Sequence, residues 1–166
     1  MLSFFGFGKS NAQKNKKTTS EKTESIEEPK GVIGTYYEDD LPVIMKFVNE
    51  LPDNKIISRF PFLTVVSWKY DASENNGMPL YKINQRMIIL EDALENAMTS
   101  SKVFTHVYSR TGNGLKEFAY YTTSQDDFMR VLNKALEKHA EYPIGINFYE
   151  DKEWTDFKKI LENFAK

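Results

Sequence analysis

The chain has no cysteine among its 166 residues. This absence excludes disulfides, thiolate catalysis and the zinc and iron–sulfur sites that depend on cysteine ligands. It also fits a reducing compartment, so we expect a cytoplasmic protein. The only two histidines are His106 and His139. Because no ligand spacing surrounds either of them, we expect no metal site and no cofactor.

Long hydrophobic runs are also missing, since no apolar stretch approaches the ~20 residues of a membrane helix. Residues 1–8 are mostly apolar, but lysines follow them, the reverse of the order in a signal peptide. Residues 9–30 have almost nothing to bury. We therefore expect residues 1–30 to be a disordered polar and basic tail with no stable membrane association. The alternative is a weak membrane contact through Phe4, Phe5 and Phe7, with lysines 9–17 meeting anionic lipid.

Short catalytic motifs are absent as well. The sequence has no Gly-x-Ser-x-Gly, no His-Glu-x-x-His and no dinucleotide fingerprint. The Gly112–Gly114 turn joins two β-rich runs and lacks the Lys-Ser/Thr ending of a phosphate loop. We therefore expect a non-catalytic protein.

The charge is mildly acidic outside the tail. Residues 31–166 carry 16 basic and 20 acidic side chains, a net charge of −4. Such a surface binds nucleic-acid phosphates poorly and suits a basic partner better. The sequence therefore favours a protein partner over a nucleic acid.

Hydrophobic periodicity predicts an α+β domain over residues 31–166. From residue 60 the order is β-α-β-β-α-β followed by a helix, which is the ferredoxin-like split βαβ arrangement. Residues 31–58 form an N-terminal β-hairpin extension, and the extra C-terminal helix follows Asp151, which caps it. These two additions extend the sheet or cover its second face. The predicted strands are 32–37, 42–48, 61–70, 103–110, 115–122 and 143–149, with helices over 83–98, from Ser124 and after Asp151.

Asn113-Gly114 lies between two β-rich runs and predicts a hairpin with a two-residue turn. That register places Arg110 opposite Glu117, Tyr108 opposite Ala119, and His106 opposite Tyr121. One strand face then mixes aromatic and titratable groups, while the other, which includes Val107, Phe118 and Tyr120, is core. Since Tyr and Arg dominate interface hot spots, we predict a partner-binding surface. Its residues are Trp68, His106, Tyr108, Arg110, Glu117 and Tyr121.

Two other interpretations of this face stay open. In the first, the face is half-solvated and carries an Arg110–Glu117 ion pair. In the second, it is a second core that Trp154 and Phe157 cover. A separate acidic edge on the first long helix, formed by Glu91, Asp92 and Glu95, is a further candidate surface for a basic partner.

Four segments in this order resemble a bacterial family, number 695 among the domains of unknown function. They are Val66–Tyr70 with Met78-Pro79, Leu90–Glu95, Thr111 to Tyr121, and Phe148 to Trp154. The resemblance implies a ferredoxin-like sheet, and it assigns no catalytic residues because the family has no settled activity. The hairpin, capped helix and terminal Asp-x-x-Trp are more distantly similar to the regulator domain that inhibits ribonuclease E.

Three functional hypotheses follow. The first is a protein-binding module of the inhibitor or immunity type, whose partner is a toxin or nuclease. The second is a small-molecule hydrolase that uses His106 with Glu117 or Tyr121. The third is an RNA-binding module that stacks bases on the aromatic sheet face. The sequence alone does not fix the oligomeric state.

Overall fold

The structure is a computed structural model that describes residues 31–164. The tail predicted for residues 1–30, including the contacts of Phe4, Phe5 and Phe7, lies outside the described residues. No helix within 31–164 combines the length and apolar character that crossing a membrane requires.

Six strands and four α-helices form the described part of the chain. The hairpin β1 (Gly31–Glu38) and β2 (Leu41–Val48) comes first, then α1 (Asn54–Arg59) and β3 (Phe62–Lys69). A 3-10 turn (Asn75–Gly77) leads into α2 (Tyr81–Ser101), β4 (Phe104–Gly112) and β5 (Leu115–Thr122). The chain ends with α3 (Gln125–Leu136), β6 (Ile144–Glu150) and α4 (Thr155–Phe164). The predicted α+β class is confirmed.

All six strands belong to one antiparallel sheet, in the order β1-β2-β4-β5-β3-β6. From β3 to β6 the chain follows the predicted β-α-β-β-α-β order. The more specific assignment as ferredoxin-like, and the division of the domain at residue 60, stay predictions. The N-terminal hairpin extends the sheet, because β2 pairs with β4.

Apolar clusters cover both faces of the three central strands, β3, β4 and β5. On one face, α2 and α3 pack over Val66, Phe118 and Tyr120 through residues such as Leu90 and Phe128. The opposite face packs against α1 and α4 in a second cluster. We call these the α2 face and the α4 face. Because both are covered, a central strand has no solvent side to mark its register.

Local capping explains two helix starts. The Ser124 hydroxyl accepts a hydrogen bond from the Asp127 N–H at 3.1 Å and donates one to the Asp127 carboxylate at 3.0 Å, as the capping pattern predicted. Helix α1 was not predicted from the sequence. The Asp53 carboxylate caps it by accepting from the Lys55 and Ile56 N–H groups at 2.9 and 3.0 Å.

Candidate functional site

The hairpin of β4 and β5 has the predicted turn and most of the predicted register. Gly112 pairs with Leu115, Arg110 with Glu117, and Tyr108 with Ala119. The register then shifts between His106 and Tyr108, so that His106 pairs with Tyr120. Val107 is the extra residue of a β-bulge, and the predicted pairing of His106 with Tyr121 is wrong.

The bulge moves His106 to the α2 face. Its ring lies 5.3 Å from that of Tyr120, centroid to centroid, and Tyr120 belongs to the core under α2. Val107 and Tyr108 both enter the cluster on the α4 face, together with Tyr121. His106 therefore lies on the side of the sheet opposite Tyr108 and Tyr121.

Helix α4 covers most of the predicted aromatic surface. The Tyr121 ring stacks on the Trp154 ring at 4.0 Å between centroids, and Phe157 is buried in the same cluster. Tyr121 is 0% exposed and Tyr108 is 8% exposed. The interpretation of this face as a second core is the one that the structure supports. Base stacking on Tyr108 or Tyr121 requires this layer to be removed.

Two tyrosine hydroxyl groups of the sheet form hydrogen bonds that hold α4 in place. The Tyr121 hydroxyl donates to the Asp151 carboxylate at 2.6 Å, and the Tyr108 hydroxyl donates to Asp156 at 2.8 Å. Asp151 also accepts from the Thr155 and Asp156 N–H groups at 2.8 and 3.0 Å, which confirms its predicted capping role. Burial, with the neighbouring Asp151 adding to it, raises the pKa of Tyr121, so this hydroxyl remains a donor at all ordinary pH values.

Arg110 and Glu117 lie at the open end of the α4 face. Arg110 forms its ion pair with Glu38 of β1 at 2.7 Å, where Tyr36 also donates to Glu38 at 3.0 Å. The predicted Arg110–Glu117 pair does not form, since the ion pairs within residues 31–164 do not include it. Burial raises the pKa of the Glu117 carboxyl, while the Arg110 charge opposes that rise.

Trp68 lies elsewhere, in the core under α2 and α3. It is 3% exposed, and the Arg86 guanidinium lies 5.3 Å from its ring centroid. The six residues of the predicted surface are therefore divided among three environments. They do not form one surface. His106 is separated by the sheet from Glu117 and Tyr121, so the catalytic arrangement considered for these residues is not assembled.

A groove on the α2 face is a candidate site in the described part of the chain. It lies between α2 and the sheet extension formed by β2, and its volume is ≈ 330 Å³. The sheet forms the floor of the groove, the loop before α2 forms one end, and α2 forms one wall. We call this the α2 groove. Its lining residues are Ile44, Lys46, Met78, Pro79, Asn84, Ile88, Glu91, Thr111 and Lys116.

Charge in the α2 groove is partly buried. The Lys116 ammonium lies 3.4 Å from the Glu91 carboxylate and 4.6 Å from the Phe118 ring centroid. Burial lowers the pKa of Lys116, whereas Glu91 opposes that effect. Of the predicted acidic edge, Glu91 is thus engaged inside the groove, and Asp92 and Glu95 are exposed on α2. The sequence reasoning missed Lys46 and Lys116. Each lysine lies in a predicted strand, but the sequence does not show that the two strands, β2 and β5, both lie beside β4.

His106 lies behind this groove. Its Nε2 atom is buried without a hydrogen-bond partner among residues 31–164. Burial lowers the pKa of the imidazole to about 4, with Glu91 raising it and Lys116 and Lys46 lowering it. The ring is therefore neutral in the folded protein near pH 7.

This imidazole predicts an acid-sensitive contribution to stability. Its folded pKa of about 4 is below the unfolded value of 6.5. As the pH falls below 6.5, the unfolded chain binds a proton there that the folded chain does not, so stability decreases until about pH 4. Between about pH 7 and pH 5, the wild type should lose about 2 kcal/mol more than His106→Asn. Urea unfolding at both pH values measures this difference.

His139→Asn is the comparison variant, because it removes the other histidine of the chain, a half-buried residue whose Nδ1 lies 2.8 Å from the Tyr142 hydroxyl. An equal loss of pH dependence in this variant would show that the effect is not specific to His106. Equal pH dependence in His106→Asn and the wild type would show that His106 is not the titrating group.

Comparison with known proteins places the chain in a family. The model of a family of unknown function, DUF695, matches residues 35–161. The chain belongs to this family. The match begins in β1 and ends in α4, so the α2 groove and both covered faces lie within the DUF695 region. The more distant likeness to the ribonuclease E regulator stays a prediction.

A curated relative is similar over a shorter segment. The chain is 26% identical over 72 residues to the type II restriction enzyme SsoII from Shigella sonnei. The similarity covers 43% of this chain and spans only 20% of that enzyme. No solved structure matches the DUF695 chain.

Proposed function

We propose that this DUF695 protein is a non-catalytic protein-binding module of the bacterial cytoplasm. We propose further that it is of the inhibitor or immunity type and that its partner is a basic protein, such as a nuclease or toxin. The partner docks on the α2 groove and the exposed carboxylates beside it.

The observation that carries this proposal is the exposure of apolar side chains along α2. Ile88, which lines the groove, is 41% exposed, and Ile89 is 51% exposed. At the start of the helix Leu80 is 42% exposed and Tyr81 is 76% exposed. Ile88 thus adds an exposed apolar group to a concave site, and exposed apolar groups of this kind are typical of protein interfaces.

The charges favour a basic partner. Asp92 and Glu95 are exposed on the same helix, and neither belongs to an ion pair within residues 31–164. Proteins that cleave nucleic acids carry basic surfaces to meet phosphates, so the exposed carboxylates beside the α2 groove suit an inhibitor of such a protein. The segment similar to a restriction enzyme is compatible with a nuclease-related role.

The experiment uses the tagged full-length chain to recover its partner from a lysate of the source bacterium. The partner recovered in stoichiometric amount with the wild type is purified and its affinity is measured by calorimetry. Because Asp92 and Glu95 would face basic groups, Asp92→Lys/Glu95→Lys should weaken binding at least about tenfold. Cleavage of DNA or RNA by the purified partner should be inhibited by the wild type and not by this variant.

The control is Glu137→Lys/Glu153→Lys, which makes the same charge change at exposed positions away from the α2 groove. It should bind like the wild type. Equal weakening by both variants, no weakening by either, or the absence of a stoichiometric partner would each overturn the proposal.

A further inference from the structure

Strand β1 is an edge of the sheet without the usual protection. It has eight residues, pairs only with β2 in the described sheet, and contains neither proline nor lysine. Natural edge strands normally carry such residues or a bulge, because an open row of N–H and C=O groups pairs with other strands. Ile33 and Tyr37 on this edge are 69% and 72% exposed.

The turn that joins β1 to β2 fixes which backbone groups face outward. Asp39 and Asp40 form a two-residue loop with positive φ of 50° and 62°, and Glu38 pairs with Leu41. The residues that flank such a loop exchange both hydrogen bonds, and every second residue along the strand does the same. The N–H and C=O groups of the alternate residues Ile33, Thr35 and Tyr37 therefore point away from β2.

We propose that β1 pairs with β1 of a second copy of this chain, antiparallel about a twofold axis at Thr35. In this register Thr35 lies opposite Thr35 of the partner subunit, and Ile33 lies opposite Tyr37 of the partner subunit. All outward backbone groups of these residues find partners. The exposed apolar and aromatic side chains become cross-strand pairs, which stabilise antiparallel sheets.

The other face of β1 accepts the same register. It brings Gly34 opposite Tyr36 of the partner subunit. Within each chain the Phe164 ring already packs over Gly34, since a Cβ there would lie 2.6 Å from its Cε1. Tyr36 of the partner subunit would therefore meet the edge of this ring. Glu38, the only charged residue of β1, faces Val32 of the partner subunit, so no like charges meet. The strand is thus complementary to itself, as a twofold interface requires.

The pairing enlarges the sheet surface beside the α2 groove. Ile44, in the α2 groove, is the cross-strand neighbour of Thr35 on β1. In the dimer, the exposed side chains of the two β1 strands connect the α2 grooves of both copies on one side of a continuous sheet. This inference does not rest on the proposed partner, since the pairing uses the edge of β1 and not the groove.

The test is the mass of the full chain in solution, measured by sedimentation at about 100 µM. The wild type should be a dimer of the 19.3 kDa chain. Thr35→Lys and Thr35→Glu each put like charges opposite one another across the axis, so each should weaken the dimer at least about tenfold. Mixing the two variants should restore the dimer, because lysine then lies opposite glutamate.

The control is Asn147→Lys, at an exposed position on the other edge strand, β6, which should remain dimeric. Circular dichroism checks that each variant is folded. A monomeric wild type would overturn the inference. A dimer that both Thr35 variants leave intact, or a variant mixture that stays monomeric, would equally overturn pairing about Thr35.

Discussion

Replacing Trp154 with alanine should lower the free energy of unfolding by about 4 kcal/mol. The indole is 1% exposed and stacks on Tyr121, and its Nε1 donates to the Phe60 carbonyl at 2.9 Å. The substitution leaves a cavity between α4 and the sheet, and it removes the hydrogen-bond donor of a buried carbonyl. Urea unfolding followed by circular dichroism at pH 7 measures the loss.

Trp154 also has a positive φ of 55°, which is costly for a bulky residue and persists only where tertiary contacts fix it. Trp154→Phe keeps an aromatic ring but removes the donor, so its loss should be smaller than that of alanine. Tyr149→Ala, at a 52% exposed ring on β6, is the control and should change stability by no more than about 0.5 kcal/mol. A Trp154→Ala loss as small as this control would contradict the role of α4 as the cover of a second core.

Replacing Gly112 with alanine should cost about 3 kcal/mol. Gly112 ends β4 with a φ of +151°, which is unfavourable for any other residue. A Cβ there would lie 2.3 Å from the Pro42 carbonyl oxygen and 2.7 Å from the Val43 Cα. These are backbone atoms of β2, which cannot move without opening the β2–β4 ladder. Chemical denaturation measures the loss.

Gly31→Ala is the matched control, because a Cβ at Gly31 meets no atom of residues 31–164 within 4 Å. It should leave stability within about 0.5 kcal/mol of the wild type. If Gly112→Ala were equally harmless, β2 would not be packed against β4 as closely as the structure has it.

Local signals predicted the elements well. The Asn113-Gly114 pair marked the hairpin, since both residues tolerate the positive φ of 46° and 72° that the turn requires. Met87, Leu90, Leu94 and Ala97 recur at the three- and four-residue spacing of one helix face, and all four are buried in α2. Helix α1 was missed because it has six residues and no buried side chain, so it carries no apolar periodicity.

The predicted surface on the β4–β5 hairpin is not assembled, and one reason, beside the cover formed by α4, is the bulge at Val107. Alternation of polar and apolar residues predicts a register only where one face of a strand is exposed to solvent, because the polar residues then mark the exposed face. Strand β4 is covered on both faces, by α2 on one and α4 on the other. Nothing in the run Thr105 to Ser109 shows that one residue is left out of the ladder. A single extra residue then moved His106 to the opposite side of the sheet.

The sequence by itself determined the order of the strands and long helices, the turn of the central hairpin and the caps of α3 and α4. Each depends on residues within a few positions of one another. Tertiary structure decided that α4 buries Tyr108 and Tyr121, that Arg110 pairs with Glu38 of a distant strand, and that Lys116 and Glu91 meet beside an open groove. These outcomes depend on which faces pack together, and that is settled by the burial of apolar surface across the whole domain and by no local pattern.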